Sequence, residues 1–328
     1  MRAARLDHAL GTGALSLPEG RIAVFRPRAG DDLSALPRER VQVVTGFRPD
    51  HDAFVAQGYP VARRAEGDFA MALVCLPRAR DHARALVAEA VAAAPVGLVV
   101  VDGQKTDGVD AMLKALKARG VAVSEPLSKA HGKLFSFSAK GADLSDWAAR
   151  ETRTPEGMVT LPGVFSAGGA DRGSALLAAH LPPRLPPVVA DLGAGWGWLS
   201  AAALAREGLH ELHLIEAEAD ALDCARRNVA DPRARFHWAD ARTFRPERPF
   251  DAVICNPPFH EGRAADPVLG AAFVRAAAGM LAPAGVLWLV ANRHLPYARV
   301  LAGAFREVEE AGGDSAFRIW RAARPVRR

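Results

Sequence analysis

The stretch FDAVICNPPF, residues 250–259, decides how the rest of the chain can be interpreted. Asp251 to Cys255 is a short apolar run with β-branched residues, which is typical of a strand buried on both faces. Two prolines follow Asn256, and because proline lacks the N–H that a sheet ladder needs, the strand must end there. The pattern therefore predicts Asn256 at the carboxyl end of a central strand, where open α/β sheets bind their ligands.

The tetrapeptide Asn256-Pro257-Pro258-Phe259 suits methyl transfer to an exocyclic amine or an amide nitrogen. Such a nitrogen is a poor nucleophile because its lone pair is delocalised. The Asn256 side-chain oxygen and the Pro257 carbonyl can accept its two hydrogens, which directs the lone pair toward an incoming methyl group. Phe259 offers a flat surface for a planar substrate, and stacking stabilises by roughly 1–3 kcal/mol per base. We predict catalytic roles for these four residues; an ordinary proline-rich turn is the alternative.

A cofactor site is predicted from VVADLGAGWG, residues 188–197, which reads as a strand, a glycine-rich turn and a helix start. Glycine lets the backbone approach a ligand closely, and a helix N-terminus offers free N–H groups. Glu216 ends the next strand, 25 residues after Asp191, where a carboxylate can take both ribose hydroxyls. Acids at three successive strand ends favour S-adenosyl-L-methionine over NAD, although each acid singly fits a surface or helix-cap role. The predicted cofactor-binding residues of this set are Asp191, Gly193, Gly195, Glu216, Asp240 and Asn256.

Elements of secondary structure alternate along both halves. Strands are predicted at residues 21–26, 41–45, 70–75, 97–102, 121–123, 133–137, 188–192, 212–215, 234–238, 251–255, 285–290, 306–310 and 317–322. Helices are predicted at roughly 50–57, 80–94, 107–119, 197–207, 218–229, 267–281 and 296–305. Strands that alternate with helices indicate parallel, doubly wound sheets, so the fold class is α/β.

The two halves also align with each other. FAMALVCLPR, residues 69–78, matches PFDAVICNPP, residues 249–258, with Leu76 at the position of Asn256. We infer two tandem Rossmann-like class I methyltransferase domains, residues 1–150 and 156–328, of which the N-terminal copy is degenerate. Two unrelated α/β units with similar strands are the alternative.

Composition limits the class of protein. The 328 residues are 50% hydrophobic, enough for two cores, but no apolar run reaches the length of a membrane span. The N-terminus shows no signal peptide. Cys75, Cys224 and Cys255 lie far apart without C-x-x-C spacing, which predicts a cytoplasmic protein with neither disulfides nor a metal site. The oligomeric state stays open, with a monomer favoured.

Charge indicates a polyanionic partner without proving one. The net charge is +5, and all six lysines lie between Lys105 and Lys140. From Ser315 onward the chain has five arginines and no acid. Both clusters could contact RNA phosphates, and solvated surface is an equal alternative.

The C-terminal half resembles the ribosomal RNA guanine-N2 methyltransferases of the RsmC type, which modify 16S rRNA. The resemblance rests on TLPGVFS at residues 160–166, on NPPFHEG at 256–262, on VAN at 290–292 and on FRIWRA at 317–322. It departs from the family at Ala167, where the family usually has arginine, and at Trp196, which is bulky for a glycine-rich turn.

This resemblance implies methylation of the exocyclic N2 of a 16S rRNA guanine, with S-adenosyl-L-methionine as cofactor and ribosomal RNA or the small ribosomal subunit as partner. The guanine would be flipped out of its helix to reach the pocket. Residues 160–173 would close over the cofactor, with Phe165 and Ser166 as candidate contacts. The degenerate first domain would bind substrate or support the fold.

The sequence also fits other hypotheses about the function. A 23S rRNA guanine-N2 methyltransferase shares the Val-Phe-Ser segment and the NPPF tetrapeptide. An enzyme of the same fold could methylate adenine N6 or a protein glutamine, although NPPY is commoner there. A non-enzymatic RNA-binding assembly factor could retain the fold without the reaction.

Overall fold

The computed structural model describes residues 2–258 and 267–326. The chain forms two compact units, Met1–Arg150 and Glu151–Arg328. Within the described ranges, no helix is long and apolar enough to cross a membrane. The same ranges contain no cluster of three or more His, Cys, Asp or Glu side chains arranged to hold a metal ion. Phe259 and His260 lie outside the described residues.

The first unit is built on one seven-stranded sheet. Its strands are β1 Ile22–Phe25, β2 Val41–Val44, β3 Val61–Ala62, β4 Met71–Cys75, β5 Leu98–Gln104, β6 Leu127–Lys129 and β7 Gly132–Ser138. Its helices are α1 Arg2–Gly11, α2 Arg48–Ala56, α3 Arg80–Ala93 and α4 Val109–Ala118. The sheet order is β3-β2-β1-β4-β5-β7-β6, in which only β7 and β6 pair antiparallel to their neighbours.

The second unit has a small hairpin and a second seven-stranded sheet. Its strands are β8 Thr152–Arg153, β9 Val159–Thr160, β10 Val188–Leu192, β11 Glu211–Glu216, β12 Ala234–Trp238, β13 Phe250–Cys255, β14 Leu281–Asn292, β15 Phe305–Gly313 and β16 Phe317–Pro325. Its helices are α5 Arg172–His180, α6 Trp198–Leu204, α7 Ala219–Asn228, α8 Pro267–Met280 and α9 Tyr297–Ala304. The large sheet has the order β12-β11-β10-β13-β14-β16-β15.

Both large sheets therefore have the same strand order and the same antiparallel pair at one edge. This confirms the predicted α/β class and the duplicated class I methyltransferase plan. Thr45 is buried where the second unit has Glu216, and Leu76 is buried where it has Asn256. The first copy consequently keeps the sheet but lacks the carboxylate and the side-chain amide that the second unit has at those two strand ends.

The central strand β13 shows why an unbroken apolar run was a good indicator. Ala252 and Ile254 pack into the core on one face of the sheet, and Val253 and Cys255 pack into the core on the other. Successive side chains of a strand point to opposite faces, so a strand covered on both sides must be apolar throughout.

Several predicted elements need correction. No strand forms at residues 121–123, where Val123 makes only an isolated bridge to Phe137; the edge strand is β6. Helices α1 and α5 and the hairpin β8–β9 were not predicted at all. In the case of α1, Arg5 is fully buried and donates from Nε and Nη2 to Asp102 on β5. Leu6 and Ala9 are buried beside Arg5, so the inward face of α1 combines apolar side chains with a charge that only a tertiary partner satisfies.

Candidate active site

The carboxyl ends of three neighbouring strands meet in register. Leu192 of β10 pairs with Ile215 of β11 on one side and with Cys255 of β13 on the other. The next residue along each strand is therefore at the same edge of the sheet: Gly193, Glu216 and Asn256. The predicted cofactor turn, ribose carboxylate and catalytic amide are brought together by this register, as the sequence pattern indicated.

The glycine-rich turn needs its glycines. Gly193, Gly195 and Gly197 have φ of 76°, 56° and 90°, a region that side chains other than glycine rarely adopt. At Gly197 a Cβ would also lie 2.8 Å from Cγ2 of Val229. The Gly195 N–H of this turn points toward β11 and donates to Oε2 of Glu216 at 2.8 Å.

Glu216 is held by backbone groups on two sides. Besides the bond from Gly195, its Oε1 accepts the N–H of Glu218 at 2.6 Å. Burial raises the pKa of Glu216, and the two N–H donors act in the opposite direction. These two bonds tie the Glu216 carboxylate to the glycine-rich turn on one side and to the start of α7 on the other.

Asp191 lies at the back of the site. Its side chain is buried, and Oδ2 accepts a hydrogen bond of 2.7 Å from the hydroxyl of Ser200 on α6. Burial raises the pKa of Asp191 to about 7, and the nearby Glu216 charge acts in the same direction. A carboxyl group whose proton is lost near neutral pH becomes a strong electrostatic partner for a cation as soon as one arrives.

Asp240 is engaged differently. It follows β12, and its two carboxylate oxygens accept from Nε and Nη2 of Arg242 at 2.7–3.0 Å. Its Oδ1 also accepts the Arg242 N–H at 2.8 Å. The structure places Asp240 at the predicted strand end, but its carboxylate is occupied by Arg242 rather than directed to the glycine-rich turn.

Residues 159–166 form a strap against the glycine-rich turn. The Trp196 indole Nε1–H donates to the Phe165 carbonyl at 2.8 Å. Asn228 of α7 donates from Nδ2 to the carbonyls of Val159 and Trp196, both at 2.8 Å, and its Oδ1 accepts the Val159 N–H at 2.7 Å. Trp196 therefore joins the strap to the turn, a role that its bulk alone did not suggest.

Asn256 is bound to helix α5. Its Nδ2 donates to Oδ2 of Asp171 and to Oγ of Ser174, each at 2.8 Å. Asp171 is also the N-cap of α5, because the same Oδ2 accepts the Ser174 N–H at 2.9 Å. Sequence reasoning included Asp171 only within the segment of residues 160–173 and missed Ser174. An Asp with Ser three residues later before an apolar run could have predicted the cap, but not the bond to Asn256.

A cavity of about 40 Å³ lies among these groups. Its lining consists of Phe165, Ser166, Asp171, Ser174, Asp191, Gly193, Ala194, Gly195, Trp196, Trp198, Leu199 and Asn256. Six of the predicted site residues line it, and Glu216 contacts it through Gly195. Pro257 is buried and Pro258 is exposed after the strand end, whereas Phe259, predicted to stack on the substrate, lies outside the described residues.

A doubly wound seven-stranded sheet, a glycine-rich turn after its first strand and an acid beyond its second define a class I methyltransferase unit. The family model described as "Methyltransferase small domain" matches residues 156–321. "Ribosomal RNA small subunit methyltransferase C" of Shewanella loihica is 33% identical over 236 residues, which are 69% of this chain and 68% of the relative. The protein of the same name from Shewanella oneidensis is 32% identical over 236 residues, with the same shares. The chain belongs to this methyltransferase family.

A solved structure extends the likeness to the first unit. The T. thermophilus 16S rRNA N2 G1207 methyltransferase (RsmC), in complex with AdoMet and guanosine, has a TM-score of 0.80 to this chain at 23% identity. The match covers 98% of this chain and 91% of that one. The two proteins therefore share one fold along nearly their whole lengths.

Proposed function

We propose that this protein transfers the methyl group of S-adenosyl-L-methionine to the exocyclic N2 amine of a guanine in 16S rRNA. The observation that carries the proposal is that Asn256 lies level with Gly193 and Glu216, because each of the three follows a strand residue of the same paired row. This shared edge supports a site in which the Asn256 amide would accept an amine hydrogen next to a cofactor held by the glycine-rich turn. The names of the Shewanella relatives and of the T. thermophilus structure support the same reaction.

The residues present fit this cofactor. Glu216 would accept from the ribose hydroxyls through its two oxygens, which the N–H groups of Gly195 and Glu218 hold in place. Asp191, with its pKa near 7, provides the negative charge that a sulfonium and an α-ammonium require. When bound, S-adenosyl-L-methionine supplies an activated methyl group on a positively charged sulfur. Phe165 and Ser166 line the same cavity and would contact the cofactor from the strap.

The protein's own contribution is to position the amine. Oδ1 of Asn256 and the carbonyl of Pro257 accept the two amine hydrogens, and the lone pair is then aligned with the methyl group. Holding two reactants in this geometry replaces an encounter in solution, and such positioning lowers barriers by several kcal/mol, up to about 7–11. The methylated amine loses its extra proton readily to water, so the site needs no general base, and His260 is not assigned that role.

The guanine reaches this edge only if it leaves its stack. We expect base flipping, with Phe259 stacking on the extruded base and Pro258 stiffening the turn that presents it. The role of Phe259 stays a prediction, because this residue lies outside the described residues.

RNA would also be held by the first unit. A groove of about 390 Å³ between α3 and α4 is lined by apolar residues, by one acid, Asp107, and by four cationic residues: Arg78, Arg80, Arg84 and Lys114. Lys114 belongs to the predicted lysine cluster of residues 105–140. We propose that this surface binds RNA phosphates as part of a monomeric, cytoplasmic enzyme whose partner is rRNA or the small ribosomal subunit.

The test combines loss of the gene with mapping of modified nucleosides. Deletion in the host should remove one N2-methylguanosine from 16S rRNA, and the wild-type gene should restore it. A plasmid with Asn256→Ala should not restore it, although the purified variant should bind cofactor within about threefold of wild type by calorimetry. Loss of the modification from 23S rRNA instead would keep the chemistry and change the substrate. An unchanged rRNA, or full turnover by Asn256→Ala, would contradict the proposal.

A further inference from the structure

The side-chain amide of Asn256 has two N–H groups, and both are used inside the protein. One acceptor is a carboxylate oxygen, Oδ2 of Asp171, and the other is the Oγ of Ser174. A carboxylate has no hydrogen to donate, so the amide group that faces Asp171 must be the nitrogen. The chemistry of the partner therefore fixes which end of the amide is which.

This orientation decides what Asn256 can offer to a substrate. With Nδ2 turned toward α5, the oxygen Oδ1 has no hydrogen-bond partner among residues 2–258 and 267–326, so it is the amide atom that can face a ligand. An oxygen accepts from an amine N–H but repels a carbonyl oxygen or a ring nitrogen lone pair. If the amide were turned by 180°, Nδ2 would face the substrate amine, and two donors would oppose each other.

We propose that Asp171 and Ser174 are positioning residues that hold Asn256 in its acceptor orientation and so select an exocyclic amine as the methyl acceptor. This inference rests on the proposed function, which it extends to two residues on a different element. Neither residue need touch the substrate, since each acts through Asn256.

The surroundings hold Asp171 firmly enough for this task. Its Oδ2 is bound to the Ser174 N–H as well as to Asn256, so the carboxylate cannot rotate without breaking the helix cap. Gly173 packs against it: a Cβ there would lie 3.0 Å from Asp171 Oδ2, 3.3 Å from Cε1 of Phe317 and 3.5 Å from Cγ2 of Val290. The start of α5 is thereby fixed on β14 and β16. The side-chain amide of Asn256, which is bound to α5, is consequently held in one position relative to the sheet.

Three substitutions at Asp171 separate this role from that of a helix cap. Serine caps a helix as well as aspartate does, but its shorter side chain cannot also reach Asn256. Asparagine keeps the cap and a carbonyl oxygen that the Ser174 N–H holds in place, so it can still accept from Asn256. Alanine removes both. We expect Asp171→Asn to retain most of the turnover, and Asp171→Ser and Asp171→Ala to lose about tenfold to a hundredfold in kcat.

Thermal unfolding should follow a different order. Asp171→Ser and Asp171→Asn should unfold near the wild-type temperature, and Asp171→Ala should unfold earlier because its cap is lost. The Kd of the cofactor should change little in all three. In the double variant Asp171→Ser with Asn256→Ala, kcat should be no lower than in Asn256→Ala alone. Asp143→Ser is the matched control, because Asp143 accepts from the Ser145 N–H in the first unit, outside the site.

A second readout needs no activity. The chain has only three asparagines, Asn228, Asn256 and Asn292, so protein labelled with ¹⁵N-asparagine gives three side-chain NH2 pairs in an NMR spectrum. Asn256→Ala identifies the pair of interest. We expect one proton of that pair to lie downfield and exchange slowly in the wild type and in Asp171→Asn, and to lose both properties in Asp171→Ser. Ser174→Ala should shift the other proton and lower kcat by about threefold.

The two readouts distinguish two kinds of failure. If the wild type transfers no methyl group to rRNA but the NMR pattern holds, the proposed function fails and the orientation of Asn256 stands. If Asp171→Ser turns over at the wild-type rate, Asp171 is only a helix cap and the inference is overturned. An Asn256 pair that is unaffected by Asp171→Ser would overturn it as well.

Discussion

Trp196 and Phe165 are joined by a hydrogen bond of 2.8 Å from the indole Nε1–H to the backbone carbonyl. One residue belongs to the glycine-rich turn, and the other to the strap of residues 159–166. The bond therefore ties the strap directly to the glycine-rich turn. Trp196 also packs with Val159, Val164, Ala221 and Cys224 in a small apolar cluster.

Trp196→Phe should therefore weaken cofactor binding. The effect should come from the freed strap, since the substitution leaves the backbone of the glycine-rich turn unchanged. Phenylalanine keeps most of the apolar packing but loses the indole N–H, and the strap is freed near Phe165. We expect the Kd of S-adenosyl-L-methionine to rise by about three- to tenfold, which corresponds to one ordinary hydrogen bond. Calorimetry measures this directly. Trp147→Phe, the same change in the first unit, should leave the Kd unaltered; an equal effect there would show a general loss of stability.

Asp191→Asn should lower the affinity for the cofactor and raise the free energy of unfolding. The folded state raises the pKa of Asp191 from 3.8 to about 7, so it retains a proton that the unfolded chain releases, and stability is lost as the pH rises through that interval. Asparagine imitates the protonated form and can still accept from Ser200. At pH 8 the free energy of unfolding should rise by roughly 2–4 kcal/mol, and at pH 4 it should hardly change.

The same substitution should flatten the pH dependence of binding. In the wild type, affinity for the cationic cofactor should increase from pH 6 to pH 8 as Asp191 ionises. In Asp191→Asn it should be low throughout. Urea unfolding and calorimetry across this range provide both measurements, with Asp251→Asn on β13 as the control. A pH-independent Kd in the wild type would show that Asp191 does not respond to the cofactor's charge.

The stacked pair His213 and His237 should make the stability of the fold sensitive to acid. Their rings stack with centroids 5.0 Å apart, and Nδ1 of His213 lies 2.9 Å from Nε2 of His237, with Phe250 and Phe244 on either side. Burial lowers the pKa of both, although Glu211 beside them acts in the opposite direction. As the pH falls below about 6.5, the unfolded chain binds protons first and stability is lost.

His237→Gln should reduce this acid sensitivity, because one titrating ring is removed and a polar neighbour for His213 remains. Between pH 7.5 and 5.5 the wild type should lose about 1 kcal/mol more stability than the variant. Urea unfolding at both values measures the difference. His8→Gln on the exposed side of α1 should keep the wild-type slope; equal slopes in all three proteins would exclude the pair as the cause.

The basic groove of the first unit predicts a loss of RNA affinity on neutralisation. Arg78→Ala with Arg80→Ala should weaken binding to 16S rRNA fragments, and the slope of log K against log salt should fall by about 1–2. Filter binding at several salt concentrations gives both values. The comparison is Arg321→Ala with Arg324→Ala, because these arginines pair with Glu309 and Glu307 at 3.0 Å. If both double variants behave alike, the groove has no special role.

Much of the site could be predicted from local pattern. The apolar run before Asn256, the glycines after Asp191 and the acid at Glu216 all mark strand ends, and parallel strands bring their ends to one edge. The bond from Asn256 to Asp171 could not be predicted in this way. The two residues are 85 positions apart, and their contact depends on how the first turn of α5 packs on β14.

The arginine-rich C-terminus illustrates the same limit. Its acid-free sequence suggested a phosphate-binding segment, but Arg318, Arg321 and Arg324 of β16 pair with Glu310, Glu309 and Glu307 of β15. The hairpin places these charges opposite each other, so the three arginines of the cluster that the structure describes each face a glutamate across the two strands. Counting charges along the chain does not show which opposite charges lie beside them in the folded protein.

By itself, the sequence determined the duplicated α/β fold, the glycine-rich turn and the position of Asn256 at a strand end, because strand burial and backbone freedom are local properties that leave a local pattern. Only the tertiary structure decided which charges are neutralised, how Trp196 holds the strap and which way the amide of Asn256 faces. Those features depend on hydrogen bonds between residues distant in the chain, whose partners are selected by packing rather than by spacing.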